Sequence, residues 1–216
     1  MEFGKILIAV VLNFISAALQ FCVLRHITQK RDILKYYTYL SNLIALIGSA
    51  VFTVVSVRNL VCGDLTPVWL KGLRFIGTYM LATAMSVFTL VLLPDYKAGN
   101  LITADDFTGI PPEFANLVLH YLCPAISAFS FIVLERQPTL SGSEWTLFAA
   151  IPTIGYWVVY LLLTTFNLWK DPYGFSEPSV NPTFGSVLSG ILMFLLIPII
   201  SMGLDHLLWW LNTLNF

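Results

Sequence analysis

Six stretches of the sequence contain no Asp, Glu, Lys or Arg: Ile6 to Leu24, Tyr36 to Val57, Phe75 to Leu93, Phe114 to Leu134, Trp145 to Phe166 and Phe184 to Leu204. Each holds 19 to 22 residues, and at about 1.5 Å per residue a helix of that length crosses ~30 Å of hydrocarbon. Strand alternation is absent from all six, which excludes a barrel. The first stretch follows Lys5 and carries Ser16, Ala17 and Ala18, in the manner of a signal peptide. Its apolar run continues to Leu24, however, and no polar mature domain follows, so it reads as the first helix. The expected architecture is all-α: one polytopic membrane domain over residues 1–216, a six-helix transmembrane bundle with both termini on the same side, in the cell membrane.

Composition agrees with this. Only 11% of the 216 residues are charged, against about 25% in soluble domains, too few to coat a water-facing surface. A soluble enzyme, a disordered chain and a disulfide scaffold are excluded. With 11 Lys and Arg against 12 Asp and Glu, no basic excess points to nucleic acid, and the expected partners are membrane lipids. Cys22, Cys62 and Cys123 lack metal-binding spacing and an even count, so free thiols are expected. Counted by connecting segment, five basic residues (Lys5, Arg58, Lys71, Arg74, Arg136) fall at the end holding the termini. Six (Arg25, Lys30, Arg31, Lys35, Lys97, Lys170) fall at the other. That near balance sets no orientation by the positive-inside rule. Asp205 and His206, beside Trp209 and Trp210, read as an interfacial end of the last span.

With the charges placed at span ends or outside, His120 is the histidine left within a span. An intramembrane ionisable residue faces a bundle interior or a cavity and marks function by default, although it also serves as hydrogen-bonding glue between helices. The start of the second stretch bears on this choice. Thr38, Ser41 and Asn42 stand at i, i+3 and i+4, one polar face just inside the membrane. The second and fourth stretches run the same way, so Thr38 and His120 enter the same leaflet at similar depth. Small and polar residues on other stretches, including Ser86, Cys123, Ser127, Trp157, Tyr160 and Met193, fit either close helix packing or the lining of an amphipathic cavity. Pro124, Pro152 and Pro198 bend helices or free carbonyls, which favours a bundle with room inside it.

Lys35-Tyr36-Tyr37-Thr38-Tyr39, Asn116-x-x-x-His120 followed by Pro124, and Gly155-Tyr156 leading to Leu168-Trp169-Lys170-Asp171-Pro172-Tyr173 together resemble the androgen-induced, FAR-17a-like membrane proteins and their small six-span bacterial relatives. The resemblance covers about residues 33 to 210 and rests on short motifs in order. Animal members of that family are intramembrane threonine hydrolases of fatty acid esters of hydroxy fatty acids, using one Thr and one His. The resemblance implies Thr38 as nucleophile and His120 as general base, a lipid ester as substrate, and no cofactor or metal. Asn42, Asn116, Tyr37 and Tyr39 are the residues near enough in sequence to orient the imidazole or to donate to an oxyanion. Three other functions fit the same composition: a small-solute carrier using His120 as a proton site, a lipid-binding protein without chemistry, and an acyltransferase using Cys123.

Overall fold

A computed structural model describes residues 3–27, 34–93, 107–135, 140, 142, 144–169, 173 and 187–214, with side chains excepted at 187–195. Among the described residues there is no strand, only an isolated bridge between Ile27 and Phe107. The long helices are α1 (Phe3–Leu24), α2 (Tyr37–Cys62), α3 (Val68–Leu92), α4 (Pro112–Leu134), α5 (Glu144–Thr165) and α6 (Val187–Thr213). The first five are long and apolar enough to cross a bilayer, as an integral membrane protein requires.

Successive helices run antiparallel, as the cross-helix pairs show. Gln20 of α1 meets Asn42 of α2, while Asn13 meets Ser130 of α4. Arg74 and Thr78, near the start of α3, meet Glu135 and Ser127 at the far end of α4, whereas Phe88 meets His120. Thr153 of α5 bonds Tyr37 at the start of α2. Ser201 of α6 bonds Tyr79 and Thr83 of α3, and Asn212 bonds the carbonyl of Phe131. The third helix is central: 72% of its apolar window is buried, against 39% for α1, α2 and α5. Gly77 lets α2 and α3 cross closely, since a Cβ there would stand 3.0 Å from the Ala45 Cα.

The helices overrun the uncharged stretches. The second helix continues to Cys62 and ends on Gly63, whose φ of 74° and N–H to the Asn59 carbonyl form a left-handed C-terminal cap. The sixth carries Asp205 and His206 inside it. Most consequentially, α3 begins at Val68 behind Pro67, so Lys71 and Arg74 lie on the helix rather than in a polar turn.

This corrects the expectation that charged side chains stay outside the bundle. Arg74 is 0% and Glu135 2% exposed, and they form an ion pair at 3.1 Å. The guanidinium reaches both carboxylate oxygens, and also donates to Ser49 at 3.0 Å and Ser127 at 3.3 Å. Ser130 and Asn13 donate to Glu135 at 2.6 and 2.9 Å. Four helices meet at this network. Lys71 is equally buried, its ammonium 5.6 Å from the Phe131 ring centre. Cutting the sequence at its charges hid the pair, because a paired charge with hydrogen bonds on every side can enter a bundle that a lone charge avoids.

Breaking one partner of such a pair strands the other in an apolar interior. Glu135→Ala should therefore cost about 3–5 kcal/mol, read as a lowered unfolding midpoint in detergent. The double replacement Arg74→Met with Glu135→Met should be markedly less damaging than Glu135→Ala alone.

Candidate functional site

Three of the sequence-selected residues, Tyr37, Thr38 and Tyr39, lie in the first turn of α2. That turn has no side-chain cap from Tyr36; instead the Tyr37 N–H donates to the Tyr173 hydroxyl at 2.7 Å. The first N–H groups of any helix lack intrahelical acceptors, and Tyr173, from the segment after α5, supplies one. Thr38 follows directly. Its side chain, half-buried, lines an interior cavity with Tyr37, Ala84, Val87, Phe88, Leu92, Trp157 and Tyr173. The space amounts to about 10 Å³ for the centre of a water-sized sphere, enough for one water molecule. Pro152 and Pro198 are absorbed within α5 and α6, and the rings of Tyr37, Phe88, Trp157 and Tyr173 form much of the cavity wall.

His120 contacts one of those rings. Its imidazole stacks on Phe88 with ring centres 3.9 Å apart at 18°, faces the backbone of Ala84, and is 6% exposed. Phe88 is thus shared between the cavity and the histidine. No direct hydrogen bond joins Thr38 to His120, and the Nδ1 of His120 has no protein partner. The local helix geometry follows from Pro124, which has no N–H for the carbonyl of His120 four residues earlier and crowds it. The helix widens to a π segment over Val118–Leu122, with the Cys123 N–H reaching the Val118 carbonyl. A second π segment, Phe88–Leu92, lies opposite in α3. Interruptions of this kind are frequent at functional sites.

Asn42 ties the two turns together. Its amide donates to the Thr38 carbonyl at 2.8 Å and to the Leu119 carbonyl at 3.2 Å, and its oxygen accepts from Gln20 at 3.3 Å. Its N–H groups are therefore committed, which makes it an orienting residue. Asn116 differs: its Nδ2 is buried without a partner, a donor still available. Tyr37 is fully engaged, its hydroxyl 2.7 Å from Thr153 and its ring packed on Tyr156 and Trp157. Tyr39 turns away to Phe107 and the α1 to α4 side of the bundle. Ser41 bonds the Thr38 carbonyl at 2.9 Å.

The remaining sequence-selected residues scatter. Trp157 lines the cavity and Tyr160 packs behind it. Ser86 is half-buried on α3, outside the cavity wall. Ser127 belongs to the Arg74 network. Cys123 is fully buried against α1, its thiol 3.9 Å from the Ser16 carbonyl. The side chain of Met193 lies outside the described residues. Sequence reasoning missed Phe88 and Tyr173, whose roles depend on tertiary contacts. It also missed Asn13 and Gln20, which the spacing Asn13-x-x-Ser16-x-x-x-Gln20 could have shown as one helix face. His26 is structural: its Nδ1 lies 2.6 Å from the Thr108 carbonyl, and Gly109, at φ 81°, passes close to the ring.

No protein family, curated protein or solved structure matches the chain.

Phe88→Ala should join the cavity to the His120 side. In a Thr38→Cys background, a small membrane-permeant thiol reagent should modify position 38 several-fold faster once Phe88 is truncated. An unchanged rate would show that this ring does not close the cavity.

Proposed function

We propose that the protein is an intramembrane hydrolase of lipid esters, with Thr38 as nucleophile and His120 as general base. The observation that carries this reading is the shared wall: Thr38 lines a small cavity, Phe88 forms part of that wall and stacks on His120, and Asn42 clamps the two turns to each other. A carrier or a passive lipid binder gives no reason to hold a hydroxyl beside a cavity whose wall includes the ring that stacks on an imidazole. Cys123, against α1 and outside the cavity wall, is the weaker acyl acceptor.

The chemistry balances with these groups. As the Phe88 ring swings aside, neutral His120 takes the proton from the Thr38 hydroxyl while its oxygen attacks the ester carbonyl. The tetrahedral oxyanion is met by the Thr38 N–H in the first turn of α2 and by the amide of Asn116, each such donor contributing about 3 kcal/mol. The positive end of the α2 dipole adds to this. Collapse breaks the ester bond, and imidazolium protonates the departing alkoxide. Water, deprotonated by the same histidine, then releases the acid and restores Thr38. The resemblance to threonine hydrolases of fatty acid esters of hydroxy fatty acids supports esters of that class as substrate, with the acyl chain lying between apolar helices.

The six helices run alternately, which supports six spans with both termini on one side. Burial of Lys71 and Arg74 withdraws them from the loop count. Of the five basic residues expected at the termini end, Lys5, Arg58 and Arg136 remain, against six at the Arg25 to Lys35 end. By the positive-inside rule the site end then faces the cytoplasm of a cell membrane.

A fluorophosphonate probe should label the wild-type protein, with labelling lost in Thr38→Ala and in His120→Ala; ester turnover should fall at least about a thousandfold in each. Equal labelling of all three proteins would overturn the reading. For the orientation, an impermeant maleimide should label Cys62, exposed at the far end of α2, in intact cells; labelling only after the membrane is opened would reverse it.

A further inference from the structure

The first helix is amphipathic in the sense opposite to a soluble one. Its outward face carries Phe3, Leu7, Ile8, Val11, Phe14, Ile15 and Phe21, all exposed to the bilayer side. Its inward face carries Asn13, Ser16 and Gln20, each no more than 1% exposed. The intervals of three and four residues stack them on one stripe, with rises of about 4.5 and 6 Å between them.

Each of these three residues has an oxygen with no protein partner: Oδ1 of Asn13, Oγ of Ser16 and Oε1 of Gln20. Their remaining polar atoms are not idle. The Asn13 Nδ2 donates to Glu135, Ser130 and the Ala9 carbonyl, and the Gln20 Nε2 donates to Asn42. The stripe therefore starts at the buried ion pair and ends on the asparagine that holds the Thr38 turn. An unsatisfied buried oxygen costs about 1–3 kcal/mol, and native proteins meet such groups with internal water, each molecule making about three hydrogen bonds. Bridging water is the ordinary partner for oxygens of this kind, each hydrogen bond spanning about 2.8 Å.

We propose that the seam between α1, α2 and α4 is a built water-binding site, holding a file of ordered water molecules from Glu135 to the Thr38 turn. Its use as the supply for the deacylation water rests on the hydrolase reading; the water file itself does not. The site faces the interior throughout, so the water is stored within the bundle and does not have to cross the lipid-facing surface at each turnover.

Cys123 is a reporter already in place. It is 0% exposed, and its thiol approaches the Ser16 carbonyl, so bulk solvent does not reach it. The protein in lipid nanodiscs is given a brief X-ray pulse in heavy-oxygen water, and cysteine oxidation is read by mass spectrometry. Radicals born from bound water attack the side chain beside them. Cys123 should take up heavy oxygen at a rate comparable with exposed Cys62, and Gln20→Leu or Ser16→Val should lower that rate several-fold while Cys62 is unchanged. Background oxidation of Cys123 in the wild type, or a rate indifferent to both substitutions, would overturn the water file. The supply role is read separately by single turnover: Gln20→Leu should slow breakdown of the acyl-threonine several-fold and leave its formation unchanged. Unchanged breakdown would overturn the supply role with the hydrolase reading intact, whereas failure of any acyl-threonine to form would sink the hydrolase reading and leave the footprint standing.

Discussion

The ion pair between Arg74 and Glu135 sets the register on which the rest of the bundle depends. From Arg74 to Phe88 is fourteen residues of α3, about 21 Å along its axis; from Glu135 back to His120 is fifteen residues of α4, about 22 Å. Two antiparallel helices pinned at one end by the pair thus bring Phe88 against His120 at the other. Apolar packing against lipid-like side chains would not fix this register, because hydrocarbon tails compete with every Leu for every groove. A charge pair has no competitor there. Sliding by one turn would leave both ions without partners in a medium that charges them several kcal/mol each.

The other half of the molecule is held by hydroxyl groups and rings. Tyr37 reaches Thr153, while Tyr79 and Thr83 share Ser201. Tyr156 donates to the Lys35 carbonyl at 2.8 Å, and Trp209 to the Leu140 carbonyl at 3.1 Å. These contacts join α2, α3, α5 and α6 without a formal charge. The cavity beside Thr38 lies on this side, walled by Tyr37, Trp157 and Tyr173, whereas His120 belongs to the charged side. Phe88 sits where the two halves meet. Phe88 opens the π segment Phe88–Leu92 of α3 and stacks on His120 within the π segment Val118–Leu122 of α4.

Much of the architecture was legible because the bilayer imposes a length and forbids unpaired charge. Among the described residues each uncharged stretch falls within one helix apart from a terminal residue at most, Ile6 to Leu24 in α1 and Tyr36 to Val57 in α2 apart from its first residue. The ends were not legible for the same reason. A cut at each charge treats Arg74 as a boundary, although Glu135, sixty-one residues away, is what admits it to the interior, and no local pattern announces a partner at that distance. Thr38, Asn42 and His120 stood out by chemistry on a helix face, and the structure gathers them around one clamp. Phe88 and Tyr173 did not stand out as site residues, since one aromatic residue of thirty-one gains a role only from what it touches.

In the proposed hydrolase the position of Thr38 on its helix also accounts for an arrangement without a carboxylate. A serine triad relies on an acid to orient and charge-balance its histidine. In a span, such an acid would need its own compensating partner, as Glu135 has in Arg74. At the start of α2 the backbone supplies fixed positive partial charge where the oxyanion of the proposed reaction would form, and the hydroxyl is presented by the first turn itself. Orientation of the imidazole then falls to packing: Phe88 on one face, the Ala84 backbone at its edge, and the wider turn that Pro124 forces around it. The proline near the histidine is in this sense part of the site. Replacing it by a residue with an N–H would restore the bond to the His120 carbonyl, favour an ordinary α turn, and rotate the imidazole away from the ring that separates it from Thr38.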